Sequence, residues 1–358
     1  MTSWQVCSEA LHPENPIKAF DTLADSGSPF FAYRLPENDS ISLGVGTLLN
    51  VEEYDGKTPG FVVAPFSSER SAKIIKPSVS FQTPWITPTY LPTITVNDKI
   101  LPSKDYVNAI NKLTERLKTR GGKTVIARTI DAHSDITSLA SVFHALCSRY
   151  PSSYVYCWSL DSERFWIGVI PELLLQTVGD KIESMALAGT MEVNSDEAWD
   201  DKNLEEQQLV TDFISETFIK ARMTPEIDGP FDKYAGPVKH LCSRIRSIRP
   251  DKDFDVLKFA AQLSPTPAVC GLPREEALAD IASIETVDRE YYGGYSGPIT
   301  NRRQCELYVT LRCMTVEKTK GRIRLYVGGG ITHLSRPEDE WRETCLKATT
   351  LLSIFPDK

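Results

Sequence analysis

No run of about 18 apolar residues occurs in the 358-residue chain, so no membrane-spanning helix is expected. The opening residues, MTSWQVCSEALHPENP, have neither the basic nor the apolar region of a secretory signal, so export is not expected either. Positive charge is scarce: 40 Lys and Arg stand against 48 Asp and Glu, a net charge of -8. Without a basic stripe the chain is not a dedicated nucleic-acid binder, although a local basic pocket could still hold a small anion. The eight cysteines are scattered singly and none forms a Cys-x-x-Cys pair, which excludes the usual zinc spacing. They are expected to be reduced thiols in the cytoplasm. The five histidines do not cluster in sequence. Internal repeats, low-complexity segments and long linkers are absent as well.

What is present is an ordinary globular composition, 41% hydrophobic and 25% charged, long enough to bury a substantial core. Residues 1 to about 100 read as strands and loops. The stripe Tyr106, Ile110, Leu113 and Leu117 predicts a helix over 103–117. A Gly121-Gly122 turn then leads into a strand from Lys123 to Ile130. Further helices are expected near 137–149, 202–222, 235–247 and 273–284, with a hairpin at 153–160 and 164–169. Strands at 305–315 and 322–328 precede a final helix. Helices and strands mix without regular βαβ alternation, which favours an α+β fold.

Tyr326 to Lys347 is the richest stretch, YVGGGITHLSRPEDEWRETCLK. Gly328-Gly329-Gly330 ends a β-like segment, and Ser335 with Glu338 fits a capping box at the next helix. Glu340, Glu343 and Lys347 fall on one face of that helix. Two carboxylates and an ammonium beside a glycine-rich turn suit a hard cation and an anionic ligand, or else form a solvated charged face.

Other segments carry candidate chemistry. Gly121-Gly122-Lys123-Thr124 is not a nucleotide loop, because Leu117 replaces the first glycine and a helix precedes the turn. Lys123 itself either acts as a desolvated base or snorkels to solvent. Glu172, inside Ile170–Leu175, either has a raised pKa that suits a general acid or faces water. Ala188, Gly189 and Thr190 form a small-residue turn that can bring backbone N–H groups to a carboxylate. Glu205 and Glu206, at the start of the 202–222 helix, are favoured there by the helix dipole or serve as metal ligands. Arg312, read inside a strand from Leu307 to Met314, is expected to face a cavity with an anionic partner.

In order along the chain stand LAGT, a K-x3-E helix start, SPTPAVCG, REYYGGYSG, the strand arginine, GGGI and EWRET-x2-K. That order resembles the chorismate-binding enzymes, over roughly residues 100–355. Within that family the pattern is most similar to isochorismate synthase. Ala188 stands where the aminodeoxychorismate synthases typically have a nucleophilic lysine, and Lys123 and Glu172 match the base and acid positions of the water-adding members. The resemblance implies one large anthranilate synthase component I-like domain over residues 1–358, with antiparallel β-sheets in a sandwich surrounded by helices. It further implies that Lys123 activates a water for attack at C2 of chorismate, while Glu172 protonates the departing C4 hydroxyl. It places Mg2+ on Glu206 and Glu343 with Glu205 and Glu340 close by. It assigns Arg312, Tyr295 and Lys347 to the pyruvyl carboxylate, and Gly189, Thr190 and the 328–329 glycines to the substrate site. Chorismate is then the partner, with no obligate protein partner, and menaquinone supply the expected pathway, siderophore supply the alternative. The same resemblance leaves salicylate synthase, anthranilate synthase component I and a non-catalytic chorismate-binding protein as rivals. Two departures stand out: Ser264 where the family commonly has a histidine near the ring, and Gln207 where a histidine usually follows the metal glutamate.

Overall fold

A computed structural model describes residues 15–98, 102–235 and 238–356. It begins with α1 (Pro16–Ala24), β1 (Phe30–Arg34), β2 (Ser40–Asn50), β3 (Gly60–Ala64), β4 (Lys73–Pro84), β5 (Thr95–Asn97) and α2 (Lys104–Arg120). Next come β6 (Lys123–His133), α3 (Leu139–Arg149), β7 (Tyr154–Ser159), β8 (Phe165–Ile170), β9 (Leu173–Val178) and β10 (Lys181–Glu192). Then follow α4 (Asp201–Lys220), β11 (Glu226–Ala235), β12 (Val238–Ile248), α5 (Val256–Leu263), β13 (Gly271–Leu272) and α6 (Arg274–Ile284). The chain closes with β14 (Tyr295–Asn301), β15 (Gln304–Val309), β16 (Cys313–Glu317), β17 (Arg322–Ile331) and α7 (Pro337–Leu352). The α+β expectation holds.

Every strand pair is antiparallel, and the pairs make one continuous ribbon. From β5 it runs through β6, β17, β16, β8, β7, β1 and β2. It continues through β4, β3, β14, β15, β9, β10 and β12 to β11. The short β13 lies beside the start of β6. Of the strands before residue 100, β1 to β4 are therefore interior members of the ribbon, and β5 is one of its ends.

The ribbon folds back on itself. One core cluster, with Phe31, Phe61, Tyr154, Trp158, Trp166 and Tyr308, contains no helix residue, so strand faces pack directly on strand faces. Rings stack through it, with Tyr154 and Tyr308 centroids 4.2 Å apart. Helices cover the outside. α1, α3 and α7 close one cluster around Phe143 and Leu325, and α4 and α5 close another around Phe218 and Leu307. Burial of these side chains, at about 25 cal/mol per Å2 of apolar surface, is the main stabilising term.

Four local expectations need correction. Residues 16–24 form a helix, capped by the Asn15 side chain, which accepts from Lys18 N. Residues 238–248 form the strand β12 where a helix was expected. The strand expected over 305–315 breaks at 310–312, where Arg312 has φ +43°. At the last helix the cap position is Arg336 followed by Pro337, while the Ser335 hydroxyl instead accepts from Thr332 N.

Candidate active site

Two connections cross side by side between the halves of the ribbon. Pro171-Glu172 links β8 to β9, and Thr310-Leu311-Arg312 links β15 to β16. They are stitched together: Val309 N donates to the Glu172 carbonyl at 3.2 Å, and Val169 N to the Arg312 carbonyl at 3.3 Å. Glu172 and Arg312 thus come together where the ribbon changes sides. Both line a cavity of about 210 Å3, with Ala188, Gly189 and Thr190 from β10, Glu206 from α4, and Glu343 and Lys347 from α7.

The small residues make this cavity possible. Gly189 has φ +68° at a bulge in β10, so the LAGT segment is a kinked strand and not a free turn. The kink turns the Gly189 carbonyl toward His240 of β12, whose Nδ1–H donates to it at 2.7 Å. Nε2 then accepts from Arg312 Nη2 at 2.5 Å. Burial first, then the Arg312 charge, lowers the His240 pKa to about 3, so the imidazole stays neutral. The 328–330 glycines lie inside β17, one residue short of its end, and make room for carboxylates. A Cβ on Gly330 would sit 3.1 Å from Glu206 Oε1, and one on Gly329 3.2 Å from Glu340 Oε2.

Glu172 is 3% exposed, and its Oε1 has no hydrogen-bond partner among the described residues. Desolvation raises its pKa to about 8, against the opposing pull of Lys123, Arg312 and Lys347. A carboxyl group that holds its proton at neutral pH is a candidate acid.

Lys123 does not itself line the cavity. Its side chain, 1% exposed, lies one contact behind, with Nζ 2.7 Å from Glu206 Oε1. Close approach at the preceding turn fixes its strand: a Cβ on Gly122 would meet the Leu272 carbonyl at 2.0 Å. Lys347 pairs with Glu343 at 2.6 Å and donates to the Gly328 carbonyl at 2.9 Å.

The remaining candidates divide. Gly328 lines the cavity and Gly329 does not. Glu340 is buried behind Gly329, and Glu205 is exposed on α4; neither lines the cavity. Tyr295 is not there either; Tyr292 and Tyr326 supply the aromatic wall. Ser264 lies at a different hollow, while Ala268 and Val269 of the same loop line the cavity. Gln207 is buried and anchors α4 to the sheet, donating to the Ala186 carbonyl at 3.1 Å and Ser243 Oγ at 3.2 Å.

Glu206 and Glu343 suit a hard divalent cation. Both reach one cavity, glycines leave space beside Glu206, and their donors are all oxygen. Among the described residues no cluster of three or more His, Cys, Asp or Glu is suited to a metal. A two-carboxylate site completed by water and substrate oxygens is the arrangement magnesium favours.

The family model described as chorismate binding enzyme matches residues 67–355. The chain is 31% identical over 245 residues to the isochorismate synthase EntC of Escherichia coli (strain K12), covering 65% of this chain and 62% of that protein. The chain thus spans less than two thirds of that relative. It is 27% identical over 344 residues to the isochorismate synthase DhbC of Bacillus subtilis (strain 168), covering 88% of this chain and 85% of that one. The solved structure of MenF, the menaquinone-specific isochorismate synthase from Escherichia coli, shares the fold: TM-score 0.79 at 23% identity, covering 96% of this chain and 92% of that one.

Proposed function

The chain belongs to the chorismate-binding enzyme family, and from that premise we propose that it is an isochorismate synthase, using Mg2+ to interconvert chorismate and isochorismate. One observation carries the reading: Glu172, held protonated by burial, shares a cavity with Arg312, Lys347 and two carboxylates, and Lys123 lies one contact behind.

Each residue has a task that its surroundings support. Arg312, held by His240, and Lys347 offer positive charge to a substrate carboxylate. Neutral His240 leaves Arg312 free of acid–base competition from the ring and fixes its direction. Lys123 takes a proton from water as its oxygen bonds to C2. The ring double bond shifts, the C4–O bond breaks, and Glu172 gives its proton to the departing hydroxyl. The reverse reaction uses the same groups in exchanged roles. Mg2+ on Glu206 and Glu343 would supply positive charge for the ring carboxylate. Glu206 is also the carboxylate that accepts from Lys123, so base and metal site share one group.

Ala188 leaves the attacking position open to water, as its small side chain lines the cavity. The reading extends to one domain over residues 1–358, in the cytoplasm, supplying menaquinone. A deletion strain rescued by menaquinone and not by a catechol siderophore tests the pathway.

The activity is tested with purified protein, chorismate and Mg2+, with products separated by liquid chromatography. Isochorismate that disappears with EDTA is expected. Salicylate plus pyruvate would transfer the site to the salicylate synthase reaction, and no product with either water or ammonia would overturn the proposal.

A further inference from the structure

His240 fixes the Arg312 guanidinium, but the backbone behind it needs a hold of its own. Arg312 has φ +43°, in the left-handed region. An arginine is strained there, and such strain persists only where the surroundings over-determine it. Backbone bonds meet the 310–312 link on two sides. Thr310 N donates to the Gly294 carbonyl and Gly293 N to the Thr310 carbonyl, both at 2.8 Å. From the other side Val169 N donates to the Arg312 carbonyl at 3.3 Å.

The third hold comes from a side chain. Tyr156 Oη donates to the Leu311 carbonyl at 3.1 Å. The Cys313 side chain neighbours the same hydroxyl, so Tyr156 meets the chain on both sides of Arg312. Burial first, then Cys313, raises the pKa of this phenol well above its ordinary value, so the hydroxyl keeps the proton it donates.

The register explains how a β7 residue reaches this link. Tyr156 stands opposite Gly168 in β8, and Gly168 stands opposite Cys313 in β16. The phenol therefore crosses β8 over Gly168. A Cβ on Gly168 would lie 2.6 Å from Tyr156 Oη and 2.9 Å from the Arg312 carbonyl, so glycine makes room for both. Tyr154, two residues earlier on the same strand, stacks on Tyr156 with ring centroids 5.6 Å apart. Both tyrosines are fully buried. The Tyr154 hydroxyl, with the Ser296 side chain near it, has no hydrogen-bond partner among the described residues. Two phenols of equal burial on one strand thus differ in what they bond: only Tyr156 bonds the link.

We propose that Tyr156 is a positioning residue for the reaction: its hydroxyl, passed over Gly168, holds the 310–312 link in the turn that aims the Arg312 guanidinium into the cavity. Tyr156 does not line that cavity and acts only through Arg312. Its consequence for substrate rests on the isochorismate reading; its hold on the link does not. A carboxylate held by Arg312 keeps its charge through the reaction, so loosening Arg312 weakens substrate and transition state alike.

Tyr156→Phe removes one hydroxyl and keeps the ring. Hydrogen exchange on the full chain, read by mass spectrometry, should quicken about three- to tenfold in peptides covering residues 309–313. KM for chorismate with Mg2+ should rise about three- to tenfold, while kcat stays within about twofold. Tyr154→Phe carries the generic effect of losing a buried phenol hydroxyl and should match wild type in both readings. Wild-type exchange across 309–313 in Tyr156→Phe, or the same change in Tyr154→Phe, would overturn the hold. Faster exchange with an unchanged KM would overturn its service to substrate binding. If wild type forms no isochorismate while exchange still separates the two variants, the isochorismate reading fails and the hold on Arg312 stands.

Discussion

Glu172→Gln should separate stability from activity, because the acid is costly to bury and useful when buried. Folded Glu172 titrates at about 8, against 4.5 for an ordinary glutamate. The folded pKa is raised, so the folded chain binds a proton that the unfolded chain releases. Below about pH 4.5 both states are protonated and the group contributes no penalty. As pH rises toward 8 the penalty grows by about 1.4 kcal/mol per unit, and above 8 it levels off. At pH 7 it reaches roughly 3 kcal/mol. An amide does not titrate, so the variant is free of this slope. Its own buried N–H donors, facing a position where Oε1 now has no partner, cost about 1–3 kcal/mol, but that offset does not depend on pH. The discriminating quantity is therefore the difference in unfolding free energy between variant and wild type, followed by urea denaturation from pH 5 to 8. It should move in the variant's favour by roughly 3 kcal/mol over that range, while all other titrating groups cancel. In parallel, isochorismate formation should be lost, since an amide cannot protonate the leaving hydroxyl. A difference flat with pH would refute the buried, protonated carboxyl and with it the acid assignment. In wild type, turnover should fall as pH rises through about 8, where Glu172 loses its proton.

Lys123→Ala should lower kcat by about 10^2–10^4-fold, the usual range for a missing acid–base group, while chorismate still binds; normal turnover would remove Lys123 from the base role. Glu343→Gln should raise the Mg2+ concentration needed for half-maximal activity by about tenfold or more, and an unchanged metal titration would argue against ligation. Gly330→Ala places a methyl group 3.1 Å from Glu206 Oε1, so it should weaken the metal requirement's affinity more than the fold; circular dichroism and the same titration compare the two.

Much of the site was legible because its residues announce themselves against their neighbours. Lys123 opens an apolar strand, Glu172 interrupts an apolar run, and the 328–330 glycines precede a helix bearing Glu343 and Lys347. In each case an otherwise costly or unusual residue type stands where packing alone would not put it. The helix α2 was legible from its 3.6-residue apolar spacing, α7 from the face shared by Glu340, Glu343 and Lys347 behind the Ser335 to Glu338 start, and the α+β class from the irregular mixing of helices and strands.

The failures share a physical origin. In β12, Val238, Leu241, Ile245 and Ile248 happen to fall at helical spacing, and the expected helix hid His240. A strand shared between two sheet neighbours and a covering helix has no clean period of two, since both its faces are used. Had the segment been read as a strand paired to LAGT, His240 would have faced the bulge at Gly189, and its link to Arg312 would have followed. Tyr295 and Tyr292 illustrate the finer limit. Only the Gly293-Gly294 pair separates them, yet one lines the active-site cavity and the other a separate hollow. Gly294 brings its backbone so near the Ala64 carbonyl that a Cβ would lie 2.0 Å away, and Gly293 has φ +83°. That close approach reverses the chain and sends the two phenols to different places. A glycine pair reveals that such a turn exists, but which tyrosine it sends to the cavity depends on β3, a strand more than two hundred residues earlier in the chain.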